Sequence, residues 1–391
     1  MRAKLVSLRV PGLIALALTA MLTAALPAAA AQASAAPAPG AVLAGNGVLN
    51  DVVATSSSNA WAVGHYGSVC TGTRTLIEHW NGNAWQRVKV RPVRGWLDGV
   101  AATSAHDVWV TGSAGTGGAL ILHFNGRTWR RYSPGGVVVA DVTALSPTDA
   151  WAVGIAGNGS LILHWNGKTW RRVPSPSPGG VNPLLTGVSA VSAKNIWAVG
   201  GFSHTLTLHW NGSVWRRVPS PSPVGGSALQ GVAAVSAHDV WAVGESTHGT
   251  LVLHWNGTSW RKVASPPVAK GAGLLGVSGR FGRDVWAVGT TGGLIASCSA
   301  GGSSPRTVSN AVGGTISAIA SDARAAAARP EPVILHWNGT SWRRVSAPRP
   351  ANGGQLFGVF TASGRPGFAV GCTRTFGKAK ARPLVVRLKA P

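Results

Sequence analysis

Two short motifs alternate along this chain with a period near 45 residues, and this recurrence limits the fold more than any other feature. Trp-Ala-Val-Gly stands intact at Trp61, Trp151, Trp197, Trp241 and Trp286, and as WVTG at Trp109. His-Trp-Asn-Gly followed by a second Trp begins at His79, His164, His209, His254 and His336, and as HFNG at His123. Weaker copies complete the set. Arg324 replaces the Trp in SDARAAA, Phe368 replaces it in GFAVG, and Ser297 and Cys298 stand where His and Trp belong in a decayed second motif. The total is eight units, of which the sixth and seventh are degenerate.

Each unit reads as four short strands separated by turn residues. In the fifth unit they fall at 231–236, 239–244, 251–255 and 259–263, here lettered a to d. One such sheet cannot bury both faces alone, so neighbours must cover it. The expectation is an all-β propeller of seven or eight four-stranded blades, with an array of β-sandwiches as the weaker alternative. The gap from the strand-a Val to the strand-b Trp is 9 residues in seven of the eight units. The gap from the strand-c His to the strand-d Trp is 6 in all six intact units. The b–c and d–a connections vary instead: Trp61 to His79 is 18 residues, Trp197 to His209 is 12. One face of the ring therefore carries fixed turns and the other carries variable loops, where binding residues collect on a rigid scaffold.

The stretch LHWNGTSW (253–260) could be mistaken for a ligand box. Asn-Gly between alternating strands signals a two-residue type I′ hairpin, which pairs Trp255 with Thr258 and Leu253 with Trp260. Period-2 alternation then puts Leu251, Leu253, Trp255 and Trp260 on one face and Val252 and His254 on the other. Of the 18 Trp, 17 occupy the repeat positions, so these indoles read as packing between blades and the His as a partner of a neighbouring turn. The Asp or Asn two residues before each strand-b Trp (Asn59, Asp107, Asp149, Asn195, Asp239, Asp284) reads as an acceptor for backbone N–H groups of the turn.

The alternation of DVWAVG with LHWNG and SW resembles the secreted repeat β-propellers of bacteria, loosely grouped with kelch and galactose-oxidase-like propellers, over about residues 45 to 388. The NGTSW hairpin distantly resembles the Asp-box turn of sialidase-type propellers, with Trp255 where that box has its Asp. The resemblance implies a fold and no particular reaction.

Little in the sequence favours catalysis. A copper site of the galactose-oxidase kind needs tyrosines, and the chain has two, Tyr66 and Tyr132. There is no HExxH, no Walker loop and no GxSxG. Acids number only 11 against 35 Lys and Arg, which leaves few carboxylates for paired acid–base work. No catalytic residue, metal or cofactor is assigned; the enzyme reading survives as an alternative, a glycan-active hydrolase, lyase or oxidase sited on the variable loops. The candidates for ligand binding are non-repeating residues of those loops. They are Trp96 (the one Trp outside the repeat) with Asp98, His65 with Tyr66, and Glu245 with His248. An exposed aromatic beside polar groups suits a sugar or peptide platform.

The basic excess has a location. Strand d carries Arg130-Arg131, Arg171-Arg172, Arg216-Arg217, Arg261-Lys262 and Arg343-Arg344. Cations on an outer strand block edge-to-edge pairing, and the same belt would hold the chain on an anionic wall polymer. Nucleic acid is not expected, because no aromatics interleave with these cations.

At the N-terminus, Arg2, Lys4 and Arg9 precede an apolar run at 13–26 and small residues ending in Ala-Gln-Ala at Ala33, the pattern of a secretory signal peptide over 1–33. Residues 34–44 read as an Ala/Pro-rich flexible segment or a closing strand, and 45–391 as the propeller. In an export setting the three cysteines allow one pair, and neighbouring positions in a closed ring nominate Cys70 with Cys372, leaving Cys298. The resulting expectation is a secreted, monomeric, non-catalytic module, without a membrane span after cleavage. It would recognise an extracellular carbohydrate, an anionic wall polymer or a protein.

Overall fold

Period-2 alternation along every unit buries both faces of each sheet, and the result is a ring. The structure is a computed structural model. It describes residues 41–388 except 44, 69–71, 92, 116–117, 177–183, 202, 270, 281–282, 352, 363–364 and 374–380, and of 292–329 only 308–309 and 315–316. Seven antiparallel four-stranded sheets are the blades of a β-propeller. Their innermost strands are Val48–Ser56, Gly95–Ser104, Val138–Ser146, Leu185–Ser192, Ser227–Ser236, Gly273–Arg280 and Gly354–Ala362. They touch in that order, and the last touches the first. Among the described residues no helix is long and apolar enough to cross a membrane.

Eight sequence units make seven blades because the two degenerate units supply half a blade each. Blade 6 takes its inner hairpin (Gly273–Arg280, Asp284–Thr290) from unit six and its outer hairpin (Pro332–Trp337, Trp342–Val345) from unit seven. Thr290 pairs directly with Pro332, so everything between is an insertion in one b–c connection. The decayed motif at Ser297 and Cys298 and the Arg324 anchor lie outside the described residues. Within the insertion, Val308–Ser309 pairs with Thr315–Ile316. Blade 7 consists of Gly354–Ala362, Arg365–Thr373 and Arg382–Leu388, with Ala41–Val42 as its outermost strand against Val385 and Leu384. Cys372 lies within the second of these strands and is buried; Cys70 and Cys298 lie outside the described residues, and with them the nominated disulfide.

The Asn-Gly hairpin departs from the expected register. Trp255 pairs with Trp260, His254 with Arg261 and Leu253 with Lys262, so the loop has four residues rather than two. The cause is the Asn side chain: Asn256 Oδ1 accepts the backbone N–H groups of Thr258 and Ser259, both at 3.0 Å, and holds a longer turn closed. Gly257 sits at φ 96° within it, where a side chain is strained. The partition of faces survives, because Trp255 and Trp260 remain on one side.

Each strand-b indole packs across the gap onto the outer hairpin of the next blade. Trp197 lies 4.9 Å from Trp255 and 5.3 Å from Trp260 between ring centroids, and Trp241 makes the same contacts with Trp337 and Trp342 at 5.1 and 5.4 Å. Phe368 of blade 7 closes the ring on Trp80 and Trp85 of blade 1, at 5.8 and 5.5 Å. Within a blade the strand-c His stacks on the strand-b Trp, as His123 does on Trp109 at 3.8 Å and 7°.

The conserved-spacing Asp does not serve the turn backbone, as the sequence suggested. Asp149 Oδ1 meets His164 Nε2 at 2.9 Å and accepts the Trp151 indole N–H at 3.1 Å, tying three strand side chains together. A Ser three residues earlier caps the turn instead, as Ser104 Oγ does for His106 N–H. Where the acid is replaced by Asn59 or Asn195, burial lowers the pKa of His79 and His209.

Candidate functional site

The innermost strands enclose a central channel of about 340 Å³. A β-bulge interrupts each of them at the same place, between Leu49 and Asp51 in blade 1 and at the matching residues of the other six. The bulge residues, Asn50, Asp98, Ala140, Thr186, Gln230, Leu275 and Phe357, line the channel just inside the variable-loop face. The residue after the bulge is Gly in five blades, because the axis is crowded: a Cβ on Gly276 would lie 2.5 Å from the Phe357 carbonyl oxygen. Blades 1 and 3 carry Asp51 and Asp141 there instead.

These two carboxylates bridge strands. Asp51 accepts Val52 N–H at 2.8 Å and Val100 N–H of blade 2 at 2.9 Å; Asp141 accepts Val142 N–H and Val188 N–H of blade 4, both at 2.8 Å. Asn50 and Thr186 complement them by donating to the Leu97 and Leu229 carbonyls, each at 2.7 Å. Removal from solvent raises Asp51 well above the ordinary range, with mutual repulsion from Asp141 adding to it. Burial likewise raises Asp141. Asp98 is pushed up to about 7, by burial first and by Asp141 second, against the lowering effect of a hydrogen bond from the Trp96 side chain.

Trp96 and Asp98 therefore form a unit at the channel mouth. Both belong to the innermost strand of blade 2, not to the preceding loop. Trp96 is 37% exposed, the most of any described Trp. Glu245 also lies within a strand (Asp239–Ser246); it accepts a hydrogen bond from the wall residue Gln230, and burial raises its pKa. The other candidates are placed elsewhere. His65 and Tyr66 lie inside Asn59–Ser68. His65 is partly buried, which lowers its pKa, and Tyr66 carries the Arg87 guanidinium over its ring at 5.2 Å. His248 sits exposed at a turn tip beside Thr247. Among the described residues no group of three or more His, Cys, Asp or Glu is arranged to hold a metal ion. Sequence reasoning passed over Asp51 and Asp141. Their signal was present: aligned on the following Val, the innermost strands read Gly-Val five times and Asp-Val twice.

No family model and no curated protein matches this sequence. Solved structures do match. "YCF48 bound to D1 peptide" is 13% identical, with a TM-score of 0.58 over 92% of this chain and 97% of that one. YCF48 from Cyanidioschyzon merolae is 15% identical at a TM-score of 0.55, over 90% and 99%. The WD40 β-propeller domain of Doa1 is 13% identical at 0.54, over 88% and 96%. At these identities the likeness shows the fold alone. It assigns no family, the kelch group included.

Proposed function

We propose that this propeller is a non-catalytic binding module that works outside the cell and takes a carbohydrate at the channel mouth. The observation that carries the reading is the Trp96–Asp98 pair, an exposed indole two residues along the strand from a channel-mouth carboxyl that burial raises to about 7. An indole face takes the C–H face of a sugar ring. A carboxyl that both donates and accepts suits hydroxyls, and Asn50 and Gln230 extend the polar wall. The export reading rests on the basic and apolar leader within residues 1–33. A propeller of similar fold holds a peptide, so a protein ligand is the natural comparator.

The enzyme alternative draws on the same three carboxyls. Two of them, Asp51 and Asp141, are each taken up by two backbone amides, which leaves Asp98 without the free partner that glycoside chemistry requires. A glycan array probed at low and high salt tests the proposal. Binding to a defined glycan should resist salt and fall at least tenfold in Trp96→Ala. Binding that is indifferent to this change removes the proposed site, and turnover of a bound glycan removes the non-catalytic reading.

A further inference from the structure

The described acids are almost all withdrawn from the surface. Every acid except Asp322, which lies outside the described residues, is at least partly buried, and Glu331, with 43% of its side chain open, faces Arg344 at 3.8 Å. The ten strand-d cations of blades 2 to 6 are exposed, and among the described residues only Arg344 of the ten meets an acid. Edge protection alone would be served by either sign and by one charge per strand. It explains neither the uniform sign nor the arc: in blade 1 the corresponding pair is Gln86 and Arg87, with Arg87 on Glu78, and in blade 7 it is Ala41–Val42.

Strand pairing shows how the cations are arranged. In blade 3 Arg172 pairs with Leu163, which packs toward blade 2, and Arg171 pairs with His164 on the opposite face, toward blade 4. The same pairing holds in blades 2, 4, 5 and 6. Each groove between consecutive blades is thus bracketed by two cations from different blades: Arg130 with Arg172, Arg171 with Arg217, Arg216 with Lys262, and Arg261 with Arg344. Exposed bases at the fixed-turn tips, Arg127, Lys168, Lys194 and Arg283, border the same arc. Of the strand-d indoles beneath, Trp215, Trp260 and Trp342 are covered, at 5% exposure or less, and Trp129 and Trp170 are half-buried, so the arc presents no fully open ring face for stacked bases.

We infer that this arc binds a linear phosphodiester polymer without bases, one phosphate per groove. A repeating pair of cations suits a repeating anion. Nine of the ten are Arg, whose planar fork donates two parallel hydrogen bonds to an oxyanion. A carboxylate's acceptor sites lie in one plane, and a single fork takes the two that face it. A phosphodiester shares one negative charge over two non-bridging oxygens, whose acceptor sites surround a tetrahedral phosphorus and so can take donors arriving from opposite walls. This inference is independent of the channel-mouth reading, because it uses other residues and a salt-sensitive force.

The probe is poly(glycerol phosphate), titrated against the full propeller from 50 to 300 mM salt. Binding should weaken linearly on logarithmic axes, as counterion release requires. Arg171→Gln, Arg172→Gln, Arg216→Gln and Arg217→Gln together touch three grooves and should lower the slope by about 2, at about 0.7 per phosphate, and affinity by more than tenfold. An equal loss of charge off the arc (Arg74, Lys89, Arg91 and Arg94→Gln) should change both much less, with thermal melts confirming that both variants fold. Equal effects of the two variants would reduce the belt to net charge and overturn the assignment. Polygalacturonate bound as tightly would overturn the phosphate, and DNA bound more tightly at equal charge would overturn the base-free polymer.

Discussion

A single carboxyl, Asp98, connects sequence, packing and pH at this site. It occupies a bulge position where the other blades place Asn, Ala, Thr, Gln, Leu or Phe, and enclosure in the channel drives its pKa up to about 7. The folded state therefore holds this proton at pH values where the unfolded chain has released it. The sign follows: its contribution to stability is complete below about pH 4 and is lost as pH rises through about 7. Asp98→Asn, which keeps an acceptor for Trp96, should match the parent near pH 4 and exceed it by about 2 kcal/mol at pH 8, a figure reduced for solvent in the channel. Thermal melts at the two pH values decide it; the same difference at both would show that no charge is being relieved. Asp98 was legible in the sequence because its neighbour Trp96 broke the repeat. Asp51 and Asp141 were passed over because they sit inside the repeat, and their departure from the Gly that five blades place there shows only when the seven innermost strands are aligned.

At the scale of the hairpin, the 6-residue interval from His254 to Trp260 fixed the element, and the Asn-Gly pair located its turn. The register needed knowledge of where the Asn256 oxygen goes. Two backbone donors that a two-residue loop would leave to water converge on it instead, which lengthens the loop by two residues. Asn256→Ala should destabilise the protein by about 1–2 kcal/mol through those two amides, whereas Asn256→Asp, with an acceptor in the same place, should cost less than half as much. Denaturant titration of both variants checks the contrast. Equal losses would move the effect from the acceptor to the shape of the side chain. The strand-b Asp was misread for a related reason. Its interval from the Trp suggested turn chemistry, while its real partner, the strand-c His 15 residues on, becomes a neighbour only once strands b and c pair.

At the scale of the ring, blade number was not legible because the repeat counts units and the fold counts complete sheets. Units six and seven each keep one hairpin, and Thr291 N–H on the Glu331 carbonyl at 3.0 Å brings their halves together as one blade. Closure is a separate matter, with two candidate latches. One is the two-residue strand Ala41–Val42 on Leu384 and Val385; the other is Phe368 set against Trp80 and Trp85 in a cluster with Leu49, Leu76 and Val385. The magnitudes separate them. A pair of net backbone hydrogen bonds is worth about 1–3 kcal/mol. A Phe that is 4% exposed leaves a cavity worth about 3–5 kcal/mol when cut to Ala. Leu43 N–H and Gly47 N–H still reach the Pro383 and Ala381 carbonyls when the chain starts at Leu43, so part of the backbone latch persists. Phe368→Ala should therefore lower the melting temperature more than a chain beginning at Leu43 does relative to one beginning at Ser34. Proteolysis of blade 7 should accelerate in the same order. The reverse order would make the short outer strand the element that holds the seam, and the aromatic contact a consequence of closure.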